Sequence, residues 1–493
     1  MRLTARAPRG LLALLLVGLA AAPSACGLAS RPADGAPPRV APQPAPSSPV
    51  LARNDAFLGD LQEASFRYFW DLASPRTCLV PDRHPTPSFS SVAAVGFGLT
   101  AIPVAVERGW VTREAARDRV FRTLRFFADA PQGPAPAGMT GYRGFFYHFL
   151  DMETGQRFEK VELSSIDTAL FLSGALFCRE YFDGAHPDEA AIRDTADALY
   201  RRVEWDWMRP RPPRIAMAWT PEEGFGVSDW WGYDEGMILH VLALGSPTHP
   251  VGPEVWDAFT SSYAWAENHG QAYVQFAPLF GFQFSHVWID FRGIQDAYMR
   301  ARGIDYFENS RRATYAHRAY AAANPGGFAG YGEDVWGLTA CDGPADVTLD
   351  VAGRKVRFLT YGARGTSTTW TNDDGTIAPT AAAGSIPFAP EIAIPALRAM
   401  KERWGAHLWG TYGPLDAFNP TFTFTDVPVH HGRVVPGVGW FDTDWLGIDQ
   451  GPIVAMIENH RSGLVWSAMR KSPYVAAGLR RAGFEGGWLA ASP

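Results

Sequence analysis

Apolar positions return every three to four residues along most of this chain, and the segments that carry them come in pairs. Asp55 to Leu72 sets Phe57, Leu58, Leu61, Phe66, Phe69 and Trp70 on one helical stripe. Ser91 to Arg108 is apolar and glycine-dotted; Thr112 to Ala130 behind it is more polar and opens on the cap Thr112, followed by Arg113 and Glu114. The same order recurs in Ser165 to Phe182 with Asp188 to Trp207, in Asp234 to Leu244 with Val255 to Ala266, and in His286 to Ala301 with Tyr306 to Asn324. After a long irregular region come Ala389 to Trp404, then Gln450 to Ser462 with Ser472 to Ala482. A helix apolar all round belongs inside and an amphipathic one outside. The pattern predicts an all-α fold of inner and outer helices, the (α/α)6 barrel or toroid. Strand alternation is local, in Val347 to Leu359, which reads as a small hairpin insertion turning at Ala352-Gly353.

Three of the inner helices open on carboxylates. Gly224 to Gly236 is an aromatic, glycine-broken loop with Trp230, Trp231 and Tyr233, and it brings Asp234 and Glu235 to the start of the apolar run from Met237, with Ser228 or Asp229 available as the cap. Glu162 to Thr168 brings Glu162 and Asp167 to the run Ala169 to Phe177, and Gly447-Ile-Asp-Gln-Gly-Pro452 brings Asp449 and Gln450 to Ile453 to Ile457. Acids in a first turn complement the helix dipole, which is reason enough for any one of them. In a toroid, however, equivalent ends of the inner helices face one cavity, so acids far apart in sequence converge there. Two such carboxyl groups, one protonated and one ionised, are what glycoside hydrolysis requires. A helix start favours the ionised form, so a general acid there needs a counterweight. For Glu235 the counterweights are desolvation by Trp230, Trp231 and Tyr233 and repulsion from Asp234, which make it the candidate acid. Glu162 and Asp167 are the candidates for base or nucleophile, and Asp449 can bind sugar or orient water.

Composition narrows the field of partners. In 493 residues the formal net charge is -7 and there is no long basic run, which argues against nucleic acid. The 18 tryptophans are generous; Trp336 and Trp409 join Trp230 and Trp231 as candidate sugar platforms, and Tyr331-Gly-Glu333-Asp-Val-Trp336 reads as a sugar-binding loop. No Gly-x-Ser-x-Gly elbow or phosphate loop occurs, and the histidines lack metal-like spacing apart from the adjacent pair His430-His431, read as hydrogen-bonding or surface residues. Cys78, Cys178 and Cys341 have no paired spacing, and one bridge, such as Cys78 to Cys341, stays open.

At the N-terminus Arg2 and Arg6 precede the apolar Leu11 to Ala22, which is shaped like a secretory signal. Pro23-Ser-Ala-Cys26-Gly resembles a bacterial lipoprotein processing site, with lipidation at Cys26; Pro23 replaces the usual aliphatic residue and leaves ordinary signal-peptidase cleavage open. The expected organisation is a signal over 1–26, a Pro/Ala/Ser-rich tether over 27–53 and one folded domain over 54–493, a monomer in the periplasm or held on the outer membrane.

The runs Gly330 to Asp342, Asp374 to Pro379, Ala383 to Glu391, Trp409 to Gly413, Asp416 to Pro420 and Gly447 to Ile453 together resemble the glycoamylase-like family. That family includes the bacterial β-1,2-glucanases of glycoside hydrolase family 144 and is similar to a domain of cyclic β-1,2-glucan synthases. The resemblance implies an (α/α)6 barrel that hydrolyses linear or cyclic β-1,2-glucan, endo-acting and with inversion, without metal or cofactor. It carries acidic active-site positions onto Glu162, Asp167 and Glu235. Exo-action or transglycosylation on the same fold is the first alternative. A polysaccharide lyase or a non-catalytic glycan-binding lipoprotein is the next, and the acidic rim speaks against both.

Overall fold

The computed structural model describes residues 49–490, with side chains from Asn54 onward. The signal, Cys26 and the tether up to residue 48 lie outside the described residues. The described residues divide into two units between Phe57 and Leu58. What is described of the first is the opening of helix α1, Pro49–Asp71, so helix begins five residues ahead of the expected boundary at 54.

Fourteen further α-helices follow in the second unit: α2 Val92–Glu107, α3 Arg113–Asp129, α4 Ser165–Tyr181, α5 Pro187–Arg201, α6 Met237–Gly245, α7 Glu254–Thr260, α8 Phe284–Trp288, α9 Ala297–Arg302, α10 Tyr306–Ala323, α11 Pro379–Ala383, α12 Pro390–Leu408, α13 Gly447–Arg461, α14 Leu464–Met469 and α15 Pro473–Arg481. Their starts follow from capping. Ser91, Thr112 and Ser164 each accept a bond from the backbone N–H three residues on, leaving one fewer orphan donor at the N-termini of α2, α3 and α4.

Packing sorts the helices into two layers. α2 packs on α4, α4 on α6, α6 on α8, and α13 on both α11 and α2. Gln283 closes the remaining gap by donating from Nε2 to the Ala381 carbonyl and to Ser385, 2.8 Å each. This is a ring of six inner helices, α2, α4, α6, α8, α11 and α13. Outside it α3 covers α2, α5 covers α4, α15 covers α6 and α12 covers α11. The (α/α)6 expectation holds. The tightest inner contact is made through glycine: a Cβ on Gly174 would lie 2.1 Å from the Gly96 carbonyl oxygen, so α2 and α4 meet backbone to backbone. Phe97 of α2 stacks on Trp288 and meets Phe284 edge-on, both from α8, inside the ring.

The N-terminal ends of the inner helices are laced together. The Val92 N–H donates to the His148 carbonyl, and the His148 N–H to the Glu162 carbonyl just ahead of α4. Trp230 Nε1 donates to Ser165 Oγ, and Ser285 Oγ to the Glu235 carbonyl. Thr380 Oγ1 donates to the Asp449 carbonyl, and the Gly447 N–H to the Asp82 carbonyl. All the acid-bearing helix starts therefore share one rim.

Several expected boundaries are corrected. The helix expected over His286 to Ala301 is two short helices, because Gly293 adopts a positive φ of 73° and Asp296 caps a fresh start by accepting from the Met299 N–H. α7 stops at Thr260, since Trp265–Asn268 pairs with Gln271–Val274 around His269 and Gly270, both at positive φ. α5 ends at Arg201, six residues early, and α6 starts at Met237 behind a turn in which Asp234 Oδ1 accepts from the Gly236 N–H at 2.8 Å. Neither Ser228 nor Asp229 caps α6; the Asp229 carboxylate instead binds Arg211. The short α11 and α14 had no expected counterpart.

The expected hairpin is present, with Val347–Val351 paired to Arg354–Phe358. It is one of several antiparallel pieces. A five-stranded sheet joins Gly141–Tyr142, Phe145–Tyr147, Leu163–Ser164, Ala218–Thr220 and Gly224–Phe225, and a smaller one joins Phe418–Asn419, Gly439–Phe441 and Arg433–Val435. Runs of two or three residues are too short for alternation to register in sequence. They fix the loops that carry the acids.

Candidate active site

The rim holds two acidic groups. The first is built on the start of α4. Ser164 caps the helix and also donates from its hydroxyl to Asp167 Oδ2, while its strand, Leu163–Ser164, is paired to Phe145–Tyr147. That pairing brings His148 over both acids: Nδ1 lies 2.6 Å from Glu162 Oε1 and Nε2 lies 3.5 Å from Asp167 Oδ1. Burial pulls the imidazole pKa down, but Asp167 and then Glu162 outweigh it and raise the value to about 9. His148 is thus an imidazolium at neutral pH. Burial raises the Glu162 carboxyl, yet the bond from His148 outweighs that and holds it below its ordinary value. His148 was absent from the sequence reading because nothing in its surroundings along the chain marks it; only the strand pairing brings it to Glu162.

Glu235 stands at the neighbouring inner helix, in the turn before α6. Burial raises its carboxyl pKa, a backbone hydrogen bond opposes, and the Asp167 charge raises it further, to about 7. The direction expected for Glu235 and its main cause, burial, agree with the sequence expectation; burial and then the Glu235 charge also push Asp234 well above its ordinary range, and Asp167 is a further neighbour that was not expected. Trp230 is buried and serves as the strut to Ser165. Tyr233 packs away from the rim, against Phe282, Tyr263 and Tyr306. Trp231 is 42% exposed, with the Arg214 guanidinium 5.0 Å from its ring centre.

The second acidic group gathers around Arg83 and the start of α13. Arg83 Nη1 lies 2.7 Å from Asp342 Oδ2 and 3.5 Å from Asp444 Oδ2, and Nε lies 3.6 Å from Asp82 Oδ2. Asp416 bonds to Asp449. Burial, then the Asp416 charge, pushes the Asp449 carboxyl well above its ordinary range, and burial lifts Asp416 to about 6. The two share a proton and titrate as a pair. Asp449 Oδ2 has no hydrogen-bond partner, nor has Gln450 Oε1, whose amide Nε2 donates to the Pro414 carbonyl at 3.2 Å.

The remaining candidates are elsewhere. Glu333 is exposed and paired to Arg318 at 2.7 Å. Trp336 is 1% exposed, a core residue with no face to offer a ligand. Tyr331 donates to Asp373 at 2.7 Å. Trp409 is half-buried with Lys401 5.9 Å from its ring. Cys78, Cys178 and Cys341 are free and buried, so no bridge joins them. The sequence reading missed Asp82, Arg83, Asp342, Asp416, Asp442 and Asp444; Asp416 and Asp342 stood inside runs already singled out, where their clustering had no signature.

A six-helix ring with carboxylates on one rim, one raised toward neutrality and another with an open oxygen, defines the class: an (α/α)6 protein with an acidic rim. The Glycoamylase family model matches residues 227–473, half of the chain, and the chain belongs to that family. It is 28% identical over 465 residues to an exo-β-1,2-glucooligosaccharide sophorohydrolase (non-reducing end) of Parabacteroides distasonis, covering 87% of this chain and 58% of that protein. The chain thus spans less than two thirds of the curated relative it matches. An endo-β-1,2-glucanase of Chitinophaga pinensis in complex with sophorotriose and glucose is 28% identical, with TM-score 0.74 over 88% of this chain and 99% of that one. A β-1,2-glucanase of Parabacteroides distasonis is similar at the same TM-score and identity, over 87% and 60%.

Proposed function

We propose that this chain is a glycoside hydrolase cleaving β-1,2-linked glucan, endo-acting, with Glu235 as general acid and the Asp416–Asp449 pair, which shares one proton and keeps one carboxylate ionised, as the basic group of an inverting displacement. One observation carries the assignment. α6 and α13 are three places apart in either direction around the ring, so the protonated Glu235 and the open Asp449 oxygen stand on opposite walls of one rim. A sugar bound between them would take the Glu235 proton on the departing glycosidic oxygen as that bond breaks. Water would attack the anomeric carbon from the far side, forming the new C–O bond and releasing its proton to the Asp416–Asp449 pair. Asp167 and Glu162, engaged by Ser164 and His148, act as positioning groups, and the Asp167 charge adds to burial in keeping Glu235 protonated. The substrate is supported by the relatives, whose names specify β-1,2-glucan or its oligosaccharides. Endo-action is supported by the near-complete match to the endo-acting relative.

The test is incubation with linear β-1,2-glucan, following product length by chromatography and the first-formed anomer by proton NMR. Short oligosaccharides of mixed length appearing as the α-anomer are expected. Sophorose alone would replace endo with exo, the β-anomer would exclude inversion, and no cleavage would remove the glucanase reading. Asp449→Asn is expected to abolish turnover, whereas Asp167→Asn retains part of it. The reading includes export directed by residues 1–26 and lipid on Cys26; incorporation of labelled palmitate, lost in Cys26→Ser, tests this.

A further inference from the structure

Asp342, Asp416 and Asp442 each offer a carboxylate oxygen, and these atoms all lie within 4.8 Å of one another. The three side chains come from separate loops: Asp342 follows the strand Ala340–Cys341, Asp416 precedes Phe418–Asn419, and Asp442 follows Gly439–Phe441. Backbone bonds hold the loops in place. The Asp442 N–H donates to the Ala417 carbonyl and the Asp416 N–H to the Asp444 carbonyl, both at 3.0 Å.

Each carboxylate has one oxygen spoken for and one without a partner. Asp342 Oδ2 takes Arg83, Asp416 Oδ2 takes the Asp342 N–H at 2.7 Å, and Asp442 Oδ1 takes the N–H groups of Thr443 and Asp444 at 2.6 and 3.2 Å. Asp342 Oδ1, Asp416 Oδ1 and Asp442 Oδ2 have no hydrogen-bond partner, although the residues are 0%, 2% and 0% exposed. Buried carboxylate oxygens are costly unless a cation or donor meets them. Here three acceptors from three loops lack one, while the nearest guanidinium, Arg83, spends its bond on the other oxygen of Asp342.

We propose that Asp342, Asp416 and Asp442 bind a divalent cation, calcium in preference to magnesium. A donor set of oxygens alone suits a hard ion rather than zinc. Ca2+ sits ~2.3–2.6 Å from each ligand, so oxygens across one ion stand up to ~5 Å apart, the span seen here. Its irregular, six- to eight-fold coordination leaves places for water. The loop after Cys341 would be tied to the two segments flanking the paired strands Phe418–Asn419 and Gly439–Phe441, beside Asp449. The ion would lie against Asp416, the partner of Asp449 in the proposed base, and itself makes and breaks no bond of the substrate.

The test uses the whole folded protein after EDTA treatment and exhaustive dialysis. Titration with CaCl2 in a calorimeter is expected to show one equivalent bound, and Tm to rise in CaCl2 over NaCl of equal ionic strength. Asp442→Asn keeps the bonds from Thr443 and Asp444 while removing a ligand charge; it is expected to weaken binding by about 100-fold and to abolish the Tm shift. No binding of Ca2+, Mg2+ or Mn2+ at millimolar concentration would overturn the proposal, and so would binding that Asp442→Asn leaves unchanged. Should that variant fail to fold, crystals of the wild type soaked in TbCl3 decide it. An anomalous peak among the three carboxylates upholds the site, and its absence there overturns it.

Discussion

The two acidic groups on the rim meet the same physical problem in opposite ways. Around His148, every acid is answered: Glu162 by the imidazolium, Asp167 by the imidazolium and the Ser164 hydroxyl. Around Arg83, a single guanidinium faces Asp82, Asp342 and Asp444, and open oxygens remain on Asp342, Asp416, Asp442, Asp444 and Asp449. Burying a charge is tolerable when donors are supplied and expensive when they are not. The first group is therefore a finished support that sets the protonation of its neighbour Glu235. The second is a surface waiting for something to fill it, water and sugar hydroxyls at Asp449 and a cation deeper in.

If Glu235 is the acid that this support keeps protonated, removing its proton should have the largest effect in the molecule. Glu235→Gln is expected to lower kcat on β-1,2-glucan by ~10²–10⁴-fold with circular dichroism and Tm near wild type. Retention of most activity would transfer the acid's role to another group and dissolve the contrast between supported and open acids.

A second buried pair shows what an answered charge is worth. Arg364, fully buried, clamps Asp374 through two bonds of 2.7 and 2.8 Å and donates to the carbonyls of Cys341 and Leu359, tying the end of the hairpin to the segment that leads to Asp342. Arg364→Met leaves Asp374 buried without its cation and is expected to cost ~3–5 kcal/mol of unfolding free energy in urea denaturation. A loss under 1 kcal/mol would mean that water reaches Asp374 and that burial on this side is less strict than the open oxygens imply.

His148 provides the pH signature of the first group. Its pKa is raised from 6.5 to about 9, so its stabilisation is fully present below the unfolded value and is lost as pH climbs through about 9. Unfolding free energy should decline by roughly 2–3 kcal/mol between about pH 6.5 and 9, and this slope should vanish in His148→Asn. The activity profile sharpens the same comparison. Glu235 must hold its proton, so kcat/KM is expected to fall as pH rises through about 7. Asp167→Asn removes the charge that helps raise Glu235 and should move that limb to lower pH; an unmoved limb would show that burial alone sets it.

How much of this was legible depended on distance along the chain. Paired inner and outer helices, and the acids at the starts of α4, α6 and α13, follow from periodicity and capping, which are local. Glu162, Asp167, Glu235 and Asp449 were found because each sits beside its own helix start. His148 was not, since it reaches Glu162 through a strand pair of two residues. Asp82, Arg83, Asp342, Asp442 and Asp444 come together over more than 350 positions through loops with no regular period, and only Asp416 and Asp342 fell within motif runs. Aromatic richness misled at Trp336 and Tyr233, which fill the core, because a ring that grips sugar and a ring that fills a core have the same composition.

The hairpin Val347–Phe358 offers the smallest and cleanest contrast, a turn whose sequence is half suited to its shape. Val351 pairs with Arg354, leaving Ala352 and Gly353 as a two-residue loop at φ of 50° and 81°. Positive φ at both positions is the type I′ geometry that matches the strand twist. Gly353 adopts it freely and its N–H is bonded to Asp350 Oδ1 at 2.8 Å. Ala352 has a Cβ that crowds the following carbonyl, whereas Asn at that position tolerates the left-handed region. Ala352 is exposed, so no packing is disturbed by the longer side chain. Ala352→Asn is expected to raise the unfolding free energy by ~0.5–1 kcal/mol without changing activity. A destabilised variant would mean that the turn is held by its surroundings rather than by its own two residues, and that the hairpin is more deeply tied to the acidic wall than its exposed tip suggests.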